Sequence, residues 1–258
     1  MTDNSFDVPP VLLFADDGRP PADVAWAWLT SHPWTRWRLE TVTVHETLYP
    51  GGPPTGNARF VPRDPPLETS FTAVAHAEIE GGDPRVWLSR REDASLLLVG
   101  SHHLGHLSGM LAGSTTEWLL VAPSVPLVVA RHGHRTDSVG VCVDGGPHAL
   151  AALRALLRTP WAVDAEITLI AVADEASDVE TALAQAQEEF APSVRAPEIR
   201  LVGEPRKVLV ALQDEREFDL LVVGTRGLTG LARVTAGSTV SALIRQGEAN
   251  LLLAHARD

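Results

Sequence analysis

Four short segments occur twice in this chain, in the same order and at nearly the same separation. Val11-Leu12-Leu13-Phe14-Ala15-Asp16-Asp17-Gly18-Arg19-Pro20 returns as Val139-Gly140-Val141-Cys142-Val143-Asp144-Gly145-Gly146-Pro147. Ala94-Ser95-Leu96-Leu97-Leu98-Val99-Gly100 returns as Phe218-Asp219-Leu220-Leu221-Val222-Val223-Gly224. Gly113-Ser114-Thr115 returns as Gly237-Ser238-Thr239, and Val125–Ala130 returns as Ala249–Ala254. Asp17 and Asp144 are 127 residues apart, and the two glycine pairs are each 124 apart. Separated motifs with so constant an offset mark an internal duplication, so both halves must reach similar folds. At 258 residues the chain has room for two ordinary domains. We place them at residues 6–132 and 137–258, with the seam in the polar stretch Arg131–Asp137.

Each copy alternates strands with helices. Leu96–Val99 and Leu220–Val223 are unbroken apolar runs, the pattern of parallel strands covered on both faces. Ala149–Leu157, Val179–Phe190, Val208–Arg216 and Val240–Arg245 have helical spacing, and Pro205 suits a helix start. This order predicts an α/β class, as two tandem doubly wound parallel-sheet domains. Tyr49–Pro66 is rich in proline and glycine and has no counterpart in the second copy. It reads as a long surface loop, more readily an insertion than a lid.

The net charge of −12 disfavours nucleic acid and anionic membrane as partners, since both require positive potential. No apolar run is long enough to span a bilayer, and Met1–Ser5 has neither region of a signal peptide. A cytoplasmic protein is expected. The single cysteine, Cys142, lies in an apolar run and reads as a buried core residue. Trp26, Trp28, Trp34 and Trp37 crowd the first helix region and read as core and interface packing rather than a base-stacking platform. Glu188-Glu189 and Asp214-Glu215 read as solvated helix faces.

The chemistry-bearing segment is Gly224–Thr239, running from the end of a strand to a helical pattern. Gly224 and Gly227 allow a sharp turn and a close ligand approach. Gly237 does the same where the helix begins, and Ser238 or Thr239 can cap that helix or meet a phosphate. The unpaired N–H groups of the first turn then face an anion. In an open parallel sheet a ligand belongs beyond the carboxyl ends of the strands, where this loop lies.

Gly224, Gly227, Gly237 and Ser238 match the Gly-x2-Gly-x9-Gly-(Ser/Thr) motif, and the segment resembles the ATP-binding loop of the universal stress protein family. Asp144-Gly145, the Gly203-x-Pro205 step and the strand Asp219–Gly224 are similar too, so the likeness covers nearly the whole chain twice. The resemblance implies a five-stranded parallel sheet with helices on both faces in each domain, of the adenine nucleotide alpha hydrolase type. It also implies ATP, with or without Mg2+, as ligand. Asp144 would then lie near the nucleoside, and backbone at Val172 would meet adenine. Gly224, Gly227, Gly237, Ser238 and Thr239 would hold the phosphates.

The first copy keeps Asp17, Gly100, Gly113, Ser114 and Thr115, but His103 stands where the second glycine belongs. A Cβ and an imidazole there weaken close backbone approach without excluding phosphate. His102, His103 and His106 lack a cysteine or carboxylate at ligand spacing, so they read as loop residues and no metal site is assigned. No catalytic residue is assigned either, and slow ATP hydrolysis is the most that the chain offers as an enzyme. The expected function is a stress-response regulator or sensor that binds an adenine nucleotide in its C-terminal domain. A homodimer of tandem chains remains open. The alternative is an interaction scaffold without nucleotide, an intramolecular pseudo-dimer joined through Val125–Ala130 and Leu251–Ala254.

Overall fold

The computed structural model describes residues 8–47, 58–101, 119, 124–173, 178–214, 218–225 and 238–256. In the first copy, strands β1 (Val11–Ala15), β2 (Arg38–His45), β3 (Ala73–Glu80), β4 (Leu96–Gly100) and β5 (Leu127–Ala130) lie side by side in the order 3-2-1-4-5. All neighbours within this set are parallel. The second copy repeats the arrangement with β6 (Ser138–Val143), β7 (Glu166–Ala173), β8 (Glu198–Val202), β9 (Leu220–Gly224) and β10 (Asn250–Ala254). The two sets then join edge to edge. β10 pairs antiparallel with β5, Leu252 opposite Val128, to give a single ten-stranded sheet.

The apolar runs become strands because both of their faces are covered. Leu12 and Phe14 point into one core layer, and Leu13 points into the other. Helices α1 (Pro20–Thr30), α3 (Pro147–Leu157) and α4 (Val179–Gln187) contribute buried residues to the first layer. Helices α2 (Pro84–Ser89), α5 (Pro205–Asp214) and α6 (Ser238–Gln246) contribute to the second. α1, α2 and α3 begin with proline at the first turn, where its fixed φ suits a helix and the missing N–H would have no partner.

The join between copies is locked by polar groups. Asn250, fully buried at the start of β10, accepts hydrogen bonds from the backbone N–H of Arg131 (2.7 Å) and of His132 (3.2 Å). The Arg131 guanidinium donates to the carbonyls of Leu243, Ile244, Gly247 and Ala249, capping the C-terminal end of α6. Helix ends leave carbonyls unpaired and carry partial negative charge, so a buried cation there satisfies both. Burial lowers the Arg131 pKa to about 10, which leaves it charged at neutral pH.

Aromatic packing closes the same join on one face. Trp161, in the 3-10 turn Pro160–Asp164, stands edge-on to Trp28 at 5.8 Å and to Trp34 at 6.4 Å. Trp28 and Trp34 are fully buried and Trp37 nearly so, as core and interface packing requires. His32 lies between Trp28 and Trp161, 4.7 Å from each. Its Nε2 accepts from the Thr136 N–H at 3.0 Å, so Nδ1 carries the proton and donates to the Trp28 carbonyl at 2.7 Å. The ring is therefore neutral, and burial lowers its pKa from 6.5 to about 4.

The two copies differ in how their second and third strands connect. In the second copy α4 makes that connection and lays Ala182, Leu183 and Ala186 over Leu169 and Ala171 of β7. The positions of Leu169 and Ala171 correspond by register to Thr41 and Thr43 of β2. Those threonines are also buried, and the coil of residues 58–66 bonds to the end of the neighbouring β1 through Arg59 and Arg63. Thr43 Oγ1 donates to the Asp16 carbonyl at 2.7 Å, and Thr41 Oγ1 pairs with His76 Nδ1 at 2.6 Å. The described part of the insertion thus packs on the sheet rather than standing away from it. Residues 48–57 lie outside the described residues.

Two stability measurements test this account. Arg131→Ala should lower the unfolding free energy by roughly 3 kcal/mol in urea titrations, with Arg131→Lys recovering only part. His32 has a folded pKa below its unfolded value, so the unfolded chain takes up protons first as pH falls. Its contribution is complete above about pH 6.5 and is lost on descent towards pH 4, roughly 3 kcal/mol in all. His32→Gln should flatten that part of the pH–stability curve.

Candidate functional site

The strand order places a topological switch point in each copy. The chain leaves β1 towards β2 on one side and returns through β4 on the other; β6 is likewise flanked by β7 and β9. Crevices for ligands open beyond the carboxyl ends of strands at such points. The residues found there are Asp16, Asp17, Gly18 and Gly100 in the first copy, and Asp144, Gly145 and Gly224 in the second.

Asp144 follows the last residue of β6. Its Oδ1 accepts from the Gly146 N–H at 2.8 Å across Gly145, which takes a φ of 75°. That positive φ suits glycine, and the turn aims the carboxylate along the strand end. Oδ2 has no hydrogen-bond partner among the described residues, and the side chain is partly exposed. Asp17 repeats the turn: Oδ1 accepts from Arg19 N–H at 3.1 Å, with Gly18 at φ 69°. Beside this crevice, burial pushes the Cys142 thiol up to about 12, so it is an inert core group as its sequence context suggested.

Gly224 ends β9, and its φ is not positive. A Cβ there would lie 2.6 Å from the Ala149 nitrogen and 2.7 Å from the His148 carbonyl carbon. The missing side chain lets the first turn of α3 approach the strand end. Gly100 performs the same service against the backbone of Pro21 and Ala22 in α1. Close helix packing therefore calls for glycine at this position independently of any ligand.

The next residue, Thr225, is buried and tied down. Its N–H donates to the Ala254 carbonyl at 3.0 Å, and its hydroxyl lies 3.1 Å from His255 Nδ1. His255 stacks on His148 at 4.2 Å, and His148 Nδ1 accepts from the Ala256 N–H at 2.9 Å. The start of the glycine loop, the first turn of α3 and the end of β10 are therefore one hydrogen-bonded unit. Sequence reasoning missed this histidine pair because its members are more than a hundred residues apart and belong to no motif.

Gly227 and Gly237 lie outside the described residues, as do Gly113, Ser114, Thr115 and the histidines at 102, 103 and 106. α6 begins at Ser238, the residue after the last motif glycine, and Thr239 lies partly buried in its first turn. Val172 is partly buried near the carboxyl end of β7, paired with Leu201 of β8. At the far edge of the first copy, His45 Nε2 pairs with Glu78 Oε1 at 2.6 Å, with Glu80 close by. No metal expectation covered these three residues, and the contact is a hydrogen bond between β2 and the edge strand β3.

The sequence model of the universal stress protein family matches residues 72–131 and again 136–255. The chain belongs to the universal stress protein family. A universal stress protein from Mycolicibacterium smegmatis is 30% identical over 138 residues, covering 47% of this chain and 45% of that protein. The chain thus matches less than half the length of that relative. A universal stress protein from Archaeoglobus fulgidus superposes over 98% of this chain and 100% of its own, with a TM-score of 0.72 and 17% identity. That likeness shows that the fold extends through both copies. A universal stress protein solved in complex with cAMP is 30% identical, covers 47% of this chain and 98% of its own, and has a TM-score of 0.39. No helix among the described residues is long and apolar enough to cross a membrane.

If Gly224 is there for helix packing, Gly224→Ala should destabilise the ligand-free protein by about 2–3 kcal/mol. Thermal denaturation of nucleotide-free protein checks this; an unchanged midpoint would assign the glycine to the ligand alone.

Proposed function

We propose that the second copy binds an adenine nucleotide, ATP, at the carboxyl edge of β6 and β9, and that the bound state regulates the protein's interactions during stress in the cytoplasm. The observation that carries this reading is the complete Gly-x2-Gly-x9-Gly-Ser spacing, from the end of β9 to the first residue of α6. Family membership supports it, and so does the partly exposed Asp144 carboxylate at the switch point, suited to hydrogen-bond a nucleoside hydroxyl. The net charge of −12 repels an anionic ligand at long range, so the N–H groups of the first turn of α6 supply the local attraction. We read the protein as a regulator with at most slow hydrolysis, Mg2+ accompanying the phosphates.

The pairing of β5 with β10 makes the chain an intramolecular pseudo-dimer, which also favours the scaffold reading. The two readings separate experimentally. Mg-ATP at a hundredfold over Kd should stabilise the protein by roughly 2.7 kcal/mol, and Gly227→His should erase that gain. No thermal shift, together with no nucleotide released from heat-denatured purified protein, would leave the scaffold reading standing.

A further inference from the structure

The first copy carries a buried carboxylate that the second lacks. By strand register Asp16 takes the place of Val143, and it is only 3% exposed. A charge at that depth needs a partner. The partner is Arg63, from the connection between β2 and β3. Its Nε donates to Asp16 Oδ2 at 2.6 Å and its Nη2 to Oδ1 at 3.3 Å. The same guanidinium reaches Asp23 of α1 at 2.8 Å and lies 5.8 Å above the Trp26 ring. The Gly18 N–H completes Asp16 at 2.8 Å.

The rest of this segment follows Arg63 onto the crevice. The Arg59 N–H donates to the Asp17 carbonyl at 2.9 Å. Arg59 backbone and Cβ fill the space beside Gly18, where an added Cβ would meet its carbonyl oxygen at 2.5 Å. Asp64 is held by His76 of β3 at 3.2 Å. In the second copy the equivalent glycine, Gly145, has only ordinary contact with α4, at 3.6 Å from Ala182. Its aspartate turn has no arginine laid over it among the described residues.

We propose that the first copy is a closed, self-liganded site: the Arg59–Asp64 segment, latched by Arg63 to Asp16 and Asp23, occupies its carboxyl-edge crevice and keeps nucleotide out. The chain then takes one nucleotide, in the second copy only. This count rests on the function proposed above, whereas the latch does not. A bidentate pair to a buried carboxylate is strong, and removing one partner alone strands the other. The informative variant is therefore the double change Asp16→Val with Arg63→Met, which removes both charges and restores the residue type of the second copy.

Hydrogen exchange of the full-length protein tests the latch without any ligand. In the double variant the Arg59 amide should exchange at least tenfold faster than in wild type, while the Leu13 and Leu97 amides keep their protection. Unchanged Arg59 exchange would overturn the latch. Equilibrium titration with a fluorescent ATP analogue tests closure. Wild type should bind one equivalent and Gly227→His none. A second equivalent in wild type, or one retained by Gly227→His, would overturn closure. No binding by wild type would refute the nucleotide reading of the second copy, and the exchange result would still decide the latch.

Discussion

The structure depends on one antiparallel contact in an otherwise parallel sheet. A five-stranded parallel sheet ending at β5 or β10 would expose a largely apolar edge strand, and such edges invite aggregation. Leu127–Val129 and Leu251–Leu253 cover each other instead. The pairing has to be antiparallel because the last strands of two like copies meet about an approximate two-fold axis. Asn250 and Arg131 then set its register, since both satisfy backbone groups that the join would otherwise bury unpaired. The tryptophan cluster around His32 adds apolar burial to the same seam.

With the halves fixed together, their separate roles follow from the chain between the second and third strands. In the second copy this chain includes the helix α4, whose alanines and leucine cover an apolar strand face, and Asp144 at the switch point is partly exposed. In the first copy its described part is proline-rich coil over residues 58–66, followed by a 3-10 turn at Leu67–Thr69. On β2, Thr41 and Thr43 stand where β7 has Leu169 and Ala171, and their hydroxyls bond to His76 of β3 and to the Asp16 carbonyl. Arg63 travels with that coil to Asp16. One duplicated fold thereby lays an arginine-bearing coil over the aspartate turn of the first copy and, among the described residues, only a helix contact over that of the second.

Much of this was legible in residue order. The constant offset between the copies, the unbroken apolar runs and the prolines at helix starts lead to the observed strands and helices, because burial on both faces leaves a local, readable pattern. The burial of Cys142 follows in the same way. Other features were not legible. The helix contact of Gly224 was one, because a glycine kept clear for a helix backbone and one kept clear for a ligand are the same letter. The insertion read as a surface loop, because its contacts lie in Arg59 and Arg63 meeting Asp17 and Asp16, more than forty positions away. His148 and His255 come together only when the two ends of the second copy fold back on each other.

The sequence by itself determined that there are two copies of one α/β unit, that the chain carries the universal stress protein motif, and that this motif is complete only in the second copy. These are properties of local pattern and spacing, and they survive translation into a string. Only the tertiary structure decided that the copies share one sheet, that glycine at the end of β9 answers to a helix, and that Arg63 fills the first crevice. Each of these depends on which distant groups meet where water is excluded, and there an unpaired charge or an added Cβ is costly enough to settle the arrangement.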